Sequence, residues 1–209
     1  MKDLFCQYII GLCQNIPANV YEGLASIFCI GLVLILPFVG FRKGLKYISA
    51  LLLTEYVFLL FCATVLFREA SEVISGHNFH LFWSYAAIQK GNKILLPENV
   101  MNVVAFLPVG LLLGACMRYK KENGFRVCWR EHLWSARRWK SGWLVAFGVG
   151  LCISVSIETL QYVTHRGFSE FDDVFHNTLG TLIGYALWKC ISNAFPKKKL
   201  GQLKVNCQV

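Results

Sequence analysis

Charged residues are scarce in this chain, and acidic residues are the scarcest of them. Of the 209 residues, 16% are charged and 56% are hydrophobic, with 12 Asp and Glu against 21 Lys and Arg. Soluble globular domains carry about 25% charged residues, so this composition excludes an ordinary soluble domain. Internal repeats and low-complexity tracts are also missing. The composition therefore favours a membrane protein.

Cysteine motifs are missing too, although the chain has nine cysteines. There is no C-x-x-C sequence and no Cys/His spacing of the kind that binds zinc. Most of the cysteines lie in or beside apolar stretches, where a thiol behaves as a small hydrophobic group. Cys6 and Cys13 could form a disulfide bond, and the sequence leaves this question open. We predict neither a metal site nor a cofactor.

Five stretches approach the roughly 20 apolar residues that a helix needs to cross a bilayer. They cover residues 20–41, 47–67, 99–117, 143–163 and 171–191. The remaining residues are too few for a second domain. Residues 1–209 are therefore predicted to form a single all-α domain, a polytopic membrane bundle of about five transmembrane helices.

The basic residues alternate between the segments that connect these spans. Sixteen of the 21 Lys and Arg residues lie between the first two spans, in the loop 118–142 or at the C-terminal end, including the tail 192–209. Because the richer side of a membrane protein faces the cytoplasm, we predict an external N-terminus and a cytoplasmic C-terminus. The loop 118–142 mixes Trp with Lys and Arg, which favours contact with anionic lipid over nucleic acid.

Polar side chains are concentrated where the later spans begin or end, and the predicted topology places all of them on the outer side. An ionisable group beside hydrocarbon is costly and usually marks a functional or packing requirement. Several of these residues have a structural alternative. Asp172 could cap a helix, and Arg166 could pair with Glu170 or Asp172. Asn102 and Asn177 could bridge helices. We predict a polar binding cluster of Asn99, Asn102, Glu158, Gln161, Arg166, Glu170, Asp172, Asp173 and Asn177.

Small residues follow the polar ones along the third and fifth spans. Glycines four residues apart allow two helix backbones to approach closely, and a proline inside a membrane helix is tolerated where neighbours satisfy the freed carbonyl. The residues predicted to serve helix packing are Pro108, Gly110, Gly114, Gly180 and Gly184. Self-association through the last two is a further hypothesis.

Two stretches together resemble the VanZ-like family. The first reads N-V-V-A-F-L-P-V-G from Asn102, within residues 99–117. The second, within residues 154–191, reads E-T-L-Q from Glu158 and H-R-G-F-S-E-F-D-D-V-F-H-N from His165, with two glycines after it. This chain departs from the family pattern at Glu170, where aspartate is common, and at His176, where an aliphatic residue is usual.

The resemblance implies a multi-pass protein of the bacterial cell membrane, and it implies a link to low-level resistance to teicoplanin and related lipoglycopeptides. One hypothesis is recognition of an envelope lipid or lipoglycopeptide at the polar cluster. The alternative is a membrane-embedded enzyme that acts on a lipid-linked cell-wall precursor. The sequence offers neither a nucleophile–base pair nor a metal motif, so it favours recognition and assigns no catalytic residue. Glu55, in the middle of the second span, has no assigned role.

Overall fold

The computed structural model describes residues 16–68, 76–117 and 131–194, with backbone only at 32–45 and 131–141. Cys6 and Cys13, residues 118–130 of the predicted basic loop and the tail beyond residue 194 lie outside the described residues.

Helices account for almost all of the described chain, which confirms the all-α prediction. A short π-helix, Cys62–Leu66, directly follows the α-helix Ala18–Phe61. Two strands of three residues pair in parallel, with His77 opposite Ser169. The α-helices are α1 (Ala18–Phe61), α2 (Trp83–Gln89), α3 (Leu95–Met117), α4 (Glu131–Thr164) and α5 (Phe171–Ala194), and the strands are β1 (Gly76–Asn78) and β2 (Phe168–Glu170).

Within the part of the chain that the structure describes, three helical segments are long and apolar enough to cross a membrane. They are Lys46–Leu66, Leu95–Met117 and Gly142–Thr164, with mean hydropathies of 2.0, 2.2 and 1.8. These segments match the predicted second, third and fourth spans. The predicted fifth span forms α5, which carries two aspartates in its first turn and buries a row of polar and small residues. The chain thus has the helices of a membrane protein.

Helix α1 contains both of the first two predicted spans and bends back on itself between them. Gly31 lies against the side chain of Leu51, yet a straight helix would separate these residues by about 30 Å. The intervening residues are helical and include Pro37 and Gly40, the residue types at which sharp helix bends occur. Residues 42–46, which were predicted to connect the first two spans, are therefore helical. The two arms of α1 on either side of the bend lie next to each other, with Gly31 against Leu51.

The core of the bundle joins the second arm of α1 to α3, α4 and α5. One cluster contains buried side chains of α1, the π-helix, α3 and α4. A second cluster contains buried side chains of α3, α4 and α5. Burying these apolar surfaces against one another fixes which helix faces meet. The first cluster contains Leu60, Val65, Phe106, Val109 and Ile157, and the second contains Leu113, Ala146 and Tyr185.

Pro108 lies inside α3 without ending the helix. Proline has no N–H to donate to the carbonyl one turn before it. The next carbonyl along, that of Ala105, accepts a hydrogen bond from the Tyr56 hydroxyl at 2.7 Å. A tyrosine of α1 thus binds α3 beside the proline.

Helices α3 and α5 are in backbone contact through their glycines. A Cβ at Gly110 would overlap the carbonyl oxygen of Thr181, and one at Gly184 would overlap that of Leu107. Gly180 lies in the same way against Val103, and Gly114 lies against the indole of Trp188. The predicted packing residues therefore bring the two helices together.

Replacing Gly184 with alanine is expected to destabilise the protein. The added methyl group would press on backbone, which cannot move aside as a side chain can, so we expect a cost of about 1–3 kcal/mol. Gly148→Ala is the matched control, because no atom lies within 4 Å of its Cβ position. Thermal unfolding in detergent should show a lower midpoint for Gly184→Ala only. An equal midpoint for both variants would contradict the close contact.

Candidate functional site

The predicted polar residues lie at one end of the bundle, where α1 and α4 end and α3 and α5 begin. Hydrogen bonds link side chains of these four helices to one another and to the segment from β1 to α2. That segment lies over this end of the bundle, with Phe79 against Phe171 and Phe82 against Phe175. Each of the predicted residues has a defined partner.

Gln161 and Arg166 bind the carbonyl groups at the end of the π-helix. The Gln161 amide donates to the Thr64 carbonyl at 3.1 Å, and the Arg166 guanidinium donates to the carbonyls of Leu66 at 2.5 Å and Val65 at 3.4 Å. The last carbonyls of a helix have no partner within it. These side chains therefore fasten the end of α1 to α4, whereas the sequence suggested a carboxylate partner for Arg166.

Asp172 caps helix α2 instead of its own helix. Its carboxylate is fully buried and accepts hydrogen bonds from the backbone N–H of Phe82, from the Ser84 N–H at 2.9 Å and from the Ser84 hydroxyl at 2.5 Å. Asn99 adds a bond to that hydroxyl at 3.0 Å. A carboxylate at a helix N-terminus satisfies N–H groups that lack partners. Asp172 and Asn99 thus hold α2 over the bundle.

Glu158 is buried, with 7% of its surface exposed. One carboxylate oxygen accepts the backbone N–H of Glu170 at 2.9 Å, and the Ser169 side chain supplies a further hydrogen bond. The cation whose charge acts on Glu158 is Arg68, which also acts on Glu98. Arg68 was not among the residues predicted for the site, since no pattern within the sequence links it to Glu158.

Asp173 and Asn177 connect α5 to its two neighbours in the bundle. The Asn102 amide of α3 donates to Asp173 at 2.7 Å. One turn deeper, the Asn177 amide donates to the Ser154 hydroxyl of α4 at 2.9 Å. Asp173 retains a second carboxylate oxygen beyond this bond and lies within the electrostatic reach of Glu158, Glu170, Glu98 and Asp172. The arrangement concentrates negative charge at one end of the bundle.

Glu170 lies outside the spans and is half-buried at the end of β2. The Trp83 indole N–H donates to its carboxylate at 2.8 Å. The pKa of Glu170 is raised to about 7, chiefly because burial disfavours its charged form. The Trp83 hydrogen bond lowers this pKa, and the neighbouring charges of Asp172 and Glu98 raise it. Glu170 therefore exchanges a proton near neutral pH.

A rim of aromatic side chains surrounds the polar cluster. Phe79 contacts Phe171 with ring centroids 5.0 Å apart, and Phe82 contacts Phe175 at 5.1 Å. His176, which departs from the family pattern, is buried, and its Nε2 lies 2.8 Å from the Tyr85 hydroxyl. Exposed aromatic rings are favoured where a protein meets the membrane–water boundary.

Two further observations concern metal ligands and Glu55. Among the described residues, no group of three or more His, Cys, Asp or Glu side chains is arranged to hold a metal ion. Glu55 lies about 14 Å along the helix from Thr64, at 1.5 Å per residue, and is not part of the cluster. Its Oε1 is buried without a hydrogen-bond partner among the described residues.

The stability of the protein is expected to fall as the pH rises through about 7. A carboxyl whose folded pKa is raised from 4.5 to about 7 favours the protonated native state. Its stabilising contribution is complete below pH 4.5 and is lost as the pH rises through the folded pKa. Glu170→Gln stays neutral and can still accept the Trp83 hydrogen bond, so this variant should flatten the profile.

Unfolding midpoints between pH 5 and pH 8, followed by tryptophan fluorescence in detergent, would measure this effect. Glu22→Gln removes an exposed acid from the first arm of α1 and is the matched control. A Glu170→Gln profile as steep as that of the control would contradict the assignment.

Comparison with known proteins agrees with this arrangement. The VanZ/LLP1 family model matches residues 26–192, a range that contains the second arm of α1, α3, α4, most of α5 and the whole polar cluster. A relative from Enterococcus faecium, Protein VanZ, is 28% identical over 143 residues, which cover 66% of this chain and 73% of the relative. No solved structure matches the chain. Because the match spans most of the chain, this protein belongs to the VanZ/LLP1 family.

Proposed function

We propose that this protein contributes to resistance against teicoplanin-like lipoglycopeptides, or to homeostasis of the cell envelope, by recognising an amphiphile at the outer leaflet. The observation that supports this proposal is the carboxylate cluster at one end of an apolar bundle. Glu158, Glu170 and Asp173 lie there within electrostatic reach of one another, and Arg68 is a cation that acts on Glu158. Acidic side chains thus outnumber basic side chains in the cluster.

The chemistry of the cluster defines the kind of head group that it would bind. A partly buried carboxylate gains most from a donor, because hydrogen bonds to an ionised acceptor are roughly twice as strong as neutral ones. Arg166, Gln161 and Asp172 already bind backbone groups. The oxygens of Asp173, Glu158 and Glu170 that are not occupied by protein donors would therefore receive the amine, amide or hydroxyl groups of the ligand.

The aromatic rim and the surrounding apolar helices suit the rest of such a ligand. Phe79, Phe82 and Phe171 are each about half exposed beside the cluster. Aromatic rings at this depth pack against both head groups and the upper part of acyl chains. A ligand with a polar head and an apolar tail would contact both surfaces at once.

Catalysis on a lipid-linked cell-wall precursor is the second candidate, and one observation favours it. The pKa of Glu170 is raised to about 7 by burial, which is the range in which a carboxyl serves well as a general acid or base. A product formed by the purified protein from a labelled lipid-linked precursor, and lost in Glu170→Gln, would establish an enzyme. Recognition remains the proposal because the described residues contain no group of three or more His, Cys, Asp or Glu side chains arranged to hold a metal ion.

The proposed orientation places the polar cluster outside the cell and the C-terminus in the cytoplasm, because the Lys- and Arg-rich segments face inward. In a cysteine-free background, a single cysteine at Thr164 should react with an impermeant thiol reagent added to whole cells. A cysteine at Met117, at the opposite end of the bundle and also exposed, should react only after the cells are opened. The reverse pattern would place the cluster in the cytoplasm and refute the proposal.

Substitutions in the carboxylate cluster are expected to reduce teicoplanin resistance. Asp173→Asn keeps an oxygen for the Asn102 amide, and Glu158→Gln keeps one for the Glu170 N–H. A hydrogen bond to a charged group contributes about 1.5–3 kcal/mol. We therefore expect the minimum inhibitory concentration in a susceptible host to fall at least about fourfold from that with the wild-type protein.

Glu22→Gln is the control for this experiment, since Glu22 is exposed on the first arm of α1. All variants must reach the same level in the membrane, as measured by quantitative blotting. If both cluster variants protect the host as well as the control does, the cluster is not the recognition site.

A further inference from the structure

An apolar groove runs along the outside of α4 and α5, apart from the hydrogen bonds of the polar cluster. Its volume is about 320 Å³. Leu81 and Phe171 border its upper end, Leu151 and Leu179 line its middle, and Phe147 and Leu182 line its lower end. The upper end adjoins the aromatic rim, and the lower end lies deep among the membrane-spanning helices.

The length of the groove matches one leaflet of a bilayer. Along α5 it extends from Phe171 to Leu182, which corresponds to about 16 Å at 1.5 Å per residue. The hydrocarbon core of a bilayer is about 30 Å thick, so a single leaflet contributes about 15 Å. The groove therefore begins at the boundary and ends near the middle of the membrane.

The lining of the groove suits a hydrocarbon chain. Eight of its nine lining residues are apolar, and the ninth is Thr178. Such a surface holds a ligand through dispersion contacts between carbon atoms about 4 Å apart. Water gains little here, because a water molecule needs two or more polar partners.

We propose that this groove is a binding site for one acyl chain of a glycerophospholipid from the leaflet that borders the polar cluster. The chain enters between Leu81 and Phe171 and lies against Leu151 and Leu179 on its way to the middle of the bilayer. Filling the groove restores the dispersion contacts that its walls would lose if it were empty. The inference does not depend on the proposed function, because it rests on the shape and the depth of the groove.

Photolabelling of the full chain in phosphatidylcholine vesicles would test the proposal, with a diazirine placed at the middle of the acyl chain. Mass spectrometry of the wild-type protein should find more lipid adducts at Leu151 and Leu179 than at Leu144 and Val155. The latter two are exposed residues of α4 outside the groove. Leu151→Trp should lose the groove adducts, and Leu144→Trp should keep them.

Two results would overturn the proposal. Adducts spread equally over Leu144, Val155 and the groove would show bulk lipid only, and protein–protein crosslinks through α4 and α5 in place of lipid adducts would show a second copy on this face. Leu179→Trp gives an independent blocking variant. The unfolding midpoint of each variant shows whether lost adducts reflect a blocked groove or a misfolded protein. A folded Leu151→Trp or Leu179→Trp variant that keeps the groove adducts would also contradict the site.

Discussion

The structure depends on satisfying the backbone groups at the helix ends that lie close to hydrocarbon. Where water is scarce, an N–H or carbonyl group without a partner costs several kcal/mol. In this protein the partners are side chains from other helices: Gln161 and Arg166 bind the last carbonyls of the π-helix, and Asp172 binds the first N–H groups of α2. These bonds fix how α1, α2, α4 and α5 are placed at this end of the bundle.

The polar end can form only because α3 and α5 approach so closely below it. The glycine contacts set the distance between these two helices, and Asn102 then reaches Asp173 nearer the helix ends. On the other side of α5, the Asn177 amide donates to the Ser154 hydroxyl of α4. Packing in the apolar part of the bundle and hydrogen bonding at its end therefore reinforce each other, and neither is local to one helix.

Electrostatics distinguishes two kinds of acidic and basic residue at this end of the bundle. The carboxylate of Asp172 and the guanidinium of Arg166 are committed to backbone groups. Glu158, Glu170 and Asp173 act on one another, and Arg68 acts on Glu158. Repulsion between neighbouring carboxylates is reduced when one of them takes up a proton, as at Glu170. A hydrogen-bond donor from another molecule would reduce it in the same way. Family motif residues thus divide into two groups that the motif itself does not distinguish.

The sequence by itself determined the helices and the composition of their ends. Apolar runs of about 20 residues predicted the helices that became α3, α4 and α5, because hydropathy is a local property of the chain. The motif residues Asn102, Glu158, Asp173 and Asn177 were also named from the sequence as one polar cluster, and the structure places them at one end of the bundle. Only the tertiary structure decided which groups are partners: Asp172 with Ser84, Arg166 with Leu66, and Arg68 near Glu158. These pairs are separated by roughly 90–100 residues, so they are set by how the helices pack and not by any pattern within one helix. The groove on α4 and α5 has the same origin, since neither helix forms it alone.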